Sequence, residues 1–302
     1  MSAVLTIRGK LAEQIYQASS SVGLTPEAYL TSLIHGSTKK RVEFLPLDYK
    51  AKIAELVLEA AYSTFKRVVV VWSGGKDSTL ALYFAKRVAD RLGKPLEALV
   101  IDHFMHFDET WQFIDEVKRL WNVKVIVKGN ERLKGYRYGD VVKTSDLHEV
   151  DRKELERIGY TKDSFVYALN NIAANHLLKT VPMREAVVEN GIDALVIGDR
   201  WDENPARAYE TFFSPREEPK HFRVHPILTF TERDVWDFTL ANKLPIHPLY
   251  YKGFRSIDDR YETKPVGDKP AWEQDLENTP ERAGRAQDKE FMMEILRRYG
   301  YM

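Results

Sequence analysis

The chain predicts an α/β fold, a parallel sheet flanked by helices, and three observations carry that expectation. Short β-branched runs alternate with segments of helical apolar spacing between about residues 50 and 200. One of the strand-to-helix junctions is a glycine loop of the kind that approaches phosphate closely. The composition, 44% hydrophobic, 12% aromatic and 30% charged over 302 residues, suits an ordered globule of one large or two smaller domains.

The N-terminal stretch stands apart from that pattern. Residues 3–8 (AVLTIR) alternate as a strand, and residues 11–22 and 26–35 have helical spacing. Thr25 followed by Pro26 is a helix-start signal, because the hydroxyl can cap and the first helical position needs no backbone donor. Residues 36–47 break the pattern, so a boundary is expected near residue 45. The expected organisation is a small unit over residues 1–45, a main domain over 46–260 and a tail with a final helix over 261–302.

Within the main domain, Ile53, Leu56, Val57, Ala60 and Tyr62 mark a helix, and RVVVVW (67–72) is a strand buried on both faces. Helix follows over 79–91, strand over 96–102, helix over 108–121 and strand over 123–127. Residues 128–163 are densely charged without clear period and receive no assignment. Residues 164–190 read mainly as helix interrupted at Pro182, and 193–198 (DALVIG) as strand. A loop-rich stretch then leads to a helix over 231–242, where Thr231 and Asp234 have capping-box spacing. Residues 288–299 form the expected last helix.

Composition excludes several functions. Lys plus Arg and Asp plus Glu both number 45, so the net charge is zero and no bulk polyanion-binding surface is implied. The cysteine count is zero, which excludes a thiol nucleophile, a Cys-ligated metal or an iron–sulfur cluster built from these residues. The first residues lack signal-peptide order, and the longest apolar run, Val68 to Trp72, is far below the ~20 residues of a membrane span. A cytoplasmic protein without membrane association is expected.

The strongest motif is SGGKDS, residues 73–78, between the 67–72 strand and a helix. Gly74 and Gly75 allow a tight turn and close backbone approach, and the helix start offers unpaired N–H donors and a positive dipole end to an anion. The P-loop pattern is absent, because here the glycines are adjacent and Asp77 follows Lys76. The string resembles the pyrophosphate loop of the ATP pyrophosphatase superfamily. That resemblance implies ATP with Mg2+, Ser73 and Ser78 as donors to pyrophosphate, Lys76 neutralising its charge, and Asp77 orienting the loop or holding the metal.

Two further segments extend the likeness. IDHFMHFDET (101–110) resembles the DTGxxFPET segment of phosphoadenylyl-sulfate reductases at Asp102, Phe107, Glu109 and Thr110, and departs from it at His103, Phe104 and Asp108. Asp102, at a strand end, is expected near the adenosine. GDRWDENPAR (198–207) with Ala208 resembles the GxRxDExxxRA loop of the small subunit of heterodimeric ATP sulfurylase, with Trp201 and Thr211 replacing family arginines. Arg200 and Arg207 are expected to grip an oxyanion. Lys179 with Thr180, TPERAGRA (279–286) and the terminal RRYGY match the same subunit, whereas 222–238 and 249–257 also resemble FMN adenylyltransferases.

The resemblance, over about residues 50–302, implies an adenine nucleotide alpha-hydrolase-like, Rossmann-like fold. Reductases of the superfamily attack with a cysteine that these residues lack, whereas adenylyl transfer needs no protein nucleophile. The reading is therefore cleavage of MgATP between the α- and β-phosphates and transfer of AMP to an oxyanion, sulfate first. Lys76, Lys179, Arg200 and Arg207 are the expected catalytic residues, and residues 73–78 with Asp102 the nucleotide site. FMN adenylyltransferase, or another ATP pyrophosphatase of the family acting on an unidentified anion, is the alternative, and a GTPase subunit is the implied partner of the sulfurylase reaction.

A non-catalytic reading comes from residues 1–45, which resemble a ribbon-helix-helix unit whose dimer binds DNA. Thr6 and Arg8 would lie on the strand face opposite Leu5 and Ile7. Five Lys or Arg against three Glu in that stretch are a weak DNA footprint, which favours a homodimer through paired strands over DNA binding.

Overall fold

The structure is a computed structural model and describes residues 9, 12, 13, 15–17, 45–203, 207 and 210–281. The chain divides into two compact units, Met1–Pro46 and Leu47–Met302. In the first, residues 12, 13 and 15–17 are helical. The expected N-terminal strand, the second helix and the strand-pairing surface lie outside the described residues, as does the expected helix over 288–299.

The second unit begins with α1 (Leu47–Thr64), β1 (Val68–Val71), α2 (Lys76–Leu92), β2 (Glu97–Asp102), α3 (Asp108–Trp121) and β3 (Lys124–Gly129). Helix α1 buries Ala54, Val57, Leu58, Ala61 and Tyr62, the stripe that helical periodicity demands. In β1 the side chains alternate. Val68 and Val70 enter the larger core with residues of α1, α2 and α3, while Val69 enters a second cluster with Leu99, Ala186, Val187 and Leu195. Helix α2 ends at Gly93, whose φ of 63° is the left-handed conformation that closes a helix on its own carbonyls.

Residues 128–163 fold into β4 (Val141–Lys143) and α4 (Glu149–Arg157), and β4 pairs antiparallel with β5 (Ser164–Val166). The dense charge is internal in part. Asp151, fully buried, accepts from Arg132 Nε at 2.8 Å, Arg132 Nη2 at 2.9 Å and Asn130 Nδ2 at 2.8 Å.

Two expectations are corrected here. The region over 164–190 starts as strand β5, and its helix is not broken at Pro182: α5 (Ile172–Asn175) passes through a π-helical turn, His176–Thr180, into α6 (Val181–Asn190). The wider turn accommodates a residue without an N–H at the start of α6, where a break was expected. After β6 (Ala194–Val196), the stretch expected to be loop-rich contains a hairpin, β7 (Phe213–Glu217) and β8 (Lys220–Val224).

The sheet order is β3-β2-β1-β6-β8-β7. Neighbouring strands from β3 to β8 run parallel, and only β7 is antiparallel. Helix α7 (Glu232–Ala241) has the expected capping box, Thr231 with Asp234, and buried Lys50 of α1 reaches Asp234 at 2.5 Å. The described part of the C-terminal stretch belongs to this unit and is tied down by buried Arg255. That guanidinium donates to the carbonyls of Asp275 and Leu276 at 3.0 Å and to Thr279, and pairs with Glu232 at 2.8 Å. Among the described residues no helix is long and apolar enough to cross a membrane.

Candidate functional site

The chain runs from central β1 outward to β3 and returns to β6 on the other side of β1. The connections after β1 and β6 therefore diverge at the carboxyl end of the sheet, where open α/β sheets bind ligands. Both connections line one cavity of about 390 Å³.

The loop after β1 owes its shape to its glycines. Gly74 has φ 77°, which a side chain resists, and Gly75 is the N-cap of α2 without any side-chain cap. The α2 start therefore presents its amides and dipole to the cavity. Ser73 and Ser78 place their hydroxyls 3.1 Å apart. The Lys76 N–H donates at 2.9 Å to the Tyr250 hydroxyl, which fixes the loop against the chain after α7. From the other side, Gly198 follows β6 so closely that a Cβ there would lie 2.8 Å from the Asp77 backbone.

Ser73, Gly75, Lys76, Asp77 and Ser78 line the cavity, as do Lys179 and Arg207. The structure thus brings together most of the residues expected from the sequence. Gly74 shapes the loop without lining the cavity. Asp102, expected near adenosine, turns its carboxylate to the Phe104 N–H at 2.8 Å, and its neighbours Ile101 and His103 line the space instead.

Arg200 also differs in its surroundings from the expectation of an anion-gripping group. It is fully buried and paired with Asp77 and Asp202, each at 2.8 Å, and with Glu281. Burial opposes its charge, but Asp77, Glu281 and Asp202 hold it above the ordinary arginine range. Lys76 is likewise buried and held charged by Asp77, Glu281 and Glu232. Glu281 in turn is depressed below the carboxylate range, since Arg200 and Lys76 outweigh its burial.

Sequence reasoning missed Arg223, Tyr250, Asp258 and Glu281, all lining the cavity. Arg223 sits in β8 between Phe222 and Val224, and burial with neighbouring Arg216 pushes it down to about 10. An arginine flanked on both sides by apolar residues was the available signal, in a strand that also carries Lys220 and His221. Beside it, Asp199 pairs with Arg207 at 2.7 Å and His225 at 3.3 Å, and these with Arg223 hold it low despite burial. Lys179 pairs with Asp258, whose carboxylate lies 3.8 Å from His103. Among the described residues no group of three or more His, Asp or Glu is arranged to hold a metal. Asp77 and Glu203 do line the cavity next to the loop, and a magnesium ion that arrives with phosphates needs only one or two such carboxylates.

Comparison with known proteins places this geometry in a family. The chain is 27% identical over 224 residues to "Sulfate adenylyltransferase subunit 2" of Rhizobium sp. (strain BR816), covering 67% of this chain and 66% of that one. It is 27% identical over 227 residues to the protein of the same name from Rhodopseudomonas palustris (strain BisB18), covering 68% and 61%. The match thus spans less than two thirds of either relative's length. In fold it is similar to the FMN adenylyltransferase of Candida glabrata, with TM-score 0.55 and 15% identity over 85% of this chain and 96% of that one. It is also similar to the phosphoadenylyl-sulfate reductase of Candida auris, with TM-score 0.50 and 19% identity over 72% and 96%. The model of the phosphoadenosine phosphosulfate reductase domain matches residues 67–265, and the chain belongs to that family.

Proposed function

We propose that the chain is an adenylyltransferase that binds MgATP with its terminal phosphates on residues 73–78 and transfers AMP to an oxyanion, sulfate in the first place. One observation carries the reading: a single cavity at the switch of the sheet is lined by the glycine loop with Lys76 on one wall and by Arg207 and Arg223 on another. In this reading an acceptor oxygen attacks the α-phosphorus and the bond to the β-phosphate bridging oxygen breaks, so pyrophosphate leaves with the electron pair. No protein nucleophile takes part, which suits a sequence without cysteine although the family is named for a reductase.

The residues divide the work. Ser73, Ser78, Lys76 and the α2 amides bind the departing pyrophosphate, whose charge grows as the bond breaks. Arg207 and Arg223 hold the acceptor near the α-phosphate, and Lys179 neutralises the equatorial oxygens. A magnesium ion would be held by Asp77 and Glu203 and would supply charge neutralisation between the phosphates. The adenosine lies toward the end of β2, along Ile101 and His103. Because adenylyl sulfate formation is strongly uphill, a GTPase partner is part of the proposal; the relatives' designation as a second subunit supports a partner subunit of some kind. A pyrophosphate-release assay with ATP and sulfate, molybdate or FMN, run with inorganic pyrophosphatase so that removal of the product pulls the uphill reaction forward, tests the reading. Release with sulfate or molybdate is expected; release with FMN alone would transfer the assignment to the flavin substrate, and no release with any acceptor would sink it.

A further inference from the structure

The buried charges around Lys76 do not balance. Three cations, Lys76, Arg200 and Arg255, face four carboxylates, Asp77, Asp202, Glu232 and Glu281. Three of the acids have fixed places. Asp77 is in the first turn of α2, Glu232 begins α7, and Asp202 accepts the Glu232 N–H at 2.8 Å. Glu281 comes from the C-terminal stretch, two residues beyond Thr279, where the hold of Arg255 ends.

Its carboxylate spans two cations, one oxygen on Lys76 Nζ and the other on Arg200 Nη2. Glu281 lines the cavity and Arg200 does not. The carboxylate therefore covers the guanidinium on its Nη2 side and holds the position that an oxyanion bridging both cations would take.

We infer that the gap between Lys76 and Arg200 is a phosphoryl-binding site that Glu281 fills as an internal counter-anion, and that a pyrophosphate or nucleotide triphosphate group binds there by displacing it. The inference rests on the nucleotide reading of the glycine loop and adds what must move when nucleotide arrives. A phosphoryl oxygen and the Glu281 carboxylate compete for the same two charge-assisted contacts, and placing both side by side would set like charges together in a buried site. Displacement delivers Arg200 to the ligand and converts the C-terminal stretch into a reporter of occupancy.

Isothermal titration of the wild type and of Glu281→Gln with pyrophosphate and with MgATP tests the inference. Removing the competing charge is expected to tighten pyrophosphate binding at least about tenfold. Equal or weaker binding by Glu281→Gln, with the wild type still binding, overturns the displacement and leaves the nucleotide reading in place. If neither protein binds either ligand, the nucleotide reading fails and the inference with it. The lack of cysteine allows a second measurement that keeps Glu281 intact. An environment-sensitive dye on Pro280→Cys should change its emission on saturation with pyrophosphate, and an unchanged signal in a protein that binds pyrophosphate would refute the displacement.

Discussion

The Asp77 backbone passes so close to Gly198 that a Cβ on Gly198 would lie 2.8 Å from the Asp77 carbonyl carbon and oxygen and from the Ser78 nitrogen. The phosphate loop and the connection after β6 are thus packed backbone against backbone. Neither can shift without the other. Gly198→Ala should lower stability by about 1–3 kcal/mol, the usual cost of inserting a methyl group into closed packing. It should also weaken ATP binding, and thermal melts with calorimetry on the same variant check both effects.

Gly75→Val should behave differently. Gly75 has φ −70°, open to any residue, and a Cβ there would meet the Ser73 hydroxyl at 3.3 Å and the Tyr250 hydroxyl at 3.6 Å. The fold should survive while the larger side chain crowds the cradle and abolishes nucleotide binding. A circular dichroism spectrum like the wild type's, with no heat of ATP binding, is the expected pair of results.

The two arginines after β6 should separate. Arg207 lines the cavity, so Arg207→Ala should cost at least about a hundredfold in turnover, the scale of one preorganised contact to developing charge, with ATP affinity little changed. Arg200→Ala instead takes a buried partner from Asp77, Asp202 and Glu281, should cost about 3–5 kcal/mol of stability and, with one cation of the phosphoryl gap gone, should also weaken pyrophosphate and ATP binding. Denaturant titration and steady-state kinetics on both variants distinguish these roles.

Stability should carry two opposed pH dependences. Burial pushes His247 down to about 4, whereas the unfolded chain takes up that proton near 6.5. The unfolded state therefore binds more protons between about pH 6.5 and 4, and this group's contribution falls as pH falls through that window. Asp202 is pushed up to about 6 by burial, with Glu281 adding, so the folded state binds its proton first. Its contribution grows as pH falls from about 6 toward 4. Denaturant melts across this range should show difference curves of opposite slope for His247→Gln and Asp202→Asn.

Deleting residues 1–45 should leave ATP binding intact, because the sheet and the phosphate loop lie wholly in the Leu47–Met302 unit. If the strand over residues 3–8 pairs with its copy, the full chain is a dimer and the truncated chain a monomer, as light scattering would register. A monomeric full chain refutes strand pairing, and a truncated dimer puts the interface in the second unit.

The elements legible in the sequence were those whose residues face only core or only solvent. The limits of α3 at Asp108 and Trp121 follow from apolar spacing alone, and the Thr231–Asp234 cap from a local hydrogen bond. The β7–β8 hairpin was hidden because its burial is polar: His221 and Arg223 are buried in β8, and Pro215 stands in β7. The site divides the same way. The glycine loop could be read because its chemistry is contiguous in sequence. Glu281 could not, since its meaning depends on meeting Lys76 and Arg200 from 205 and 81 residues away.

The edges of the sheet constrain how the protein assembles. β7 forms one edge and carries Pro215, which has no N–H to give a neighbour, followed by Arg216 and Glu217. β3, at the opposite edge, begins with Lys124 and holds Lys128 near its end. Proline and lysine at both margins discourage another chain from extending the sheet. Contact between the second unit and a partner by strand addition to this sheet is thereby disfavoured.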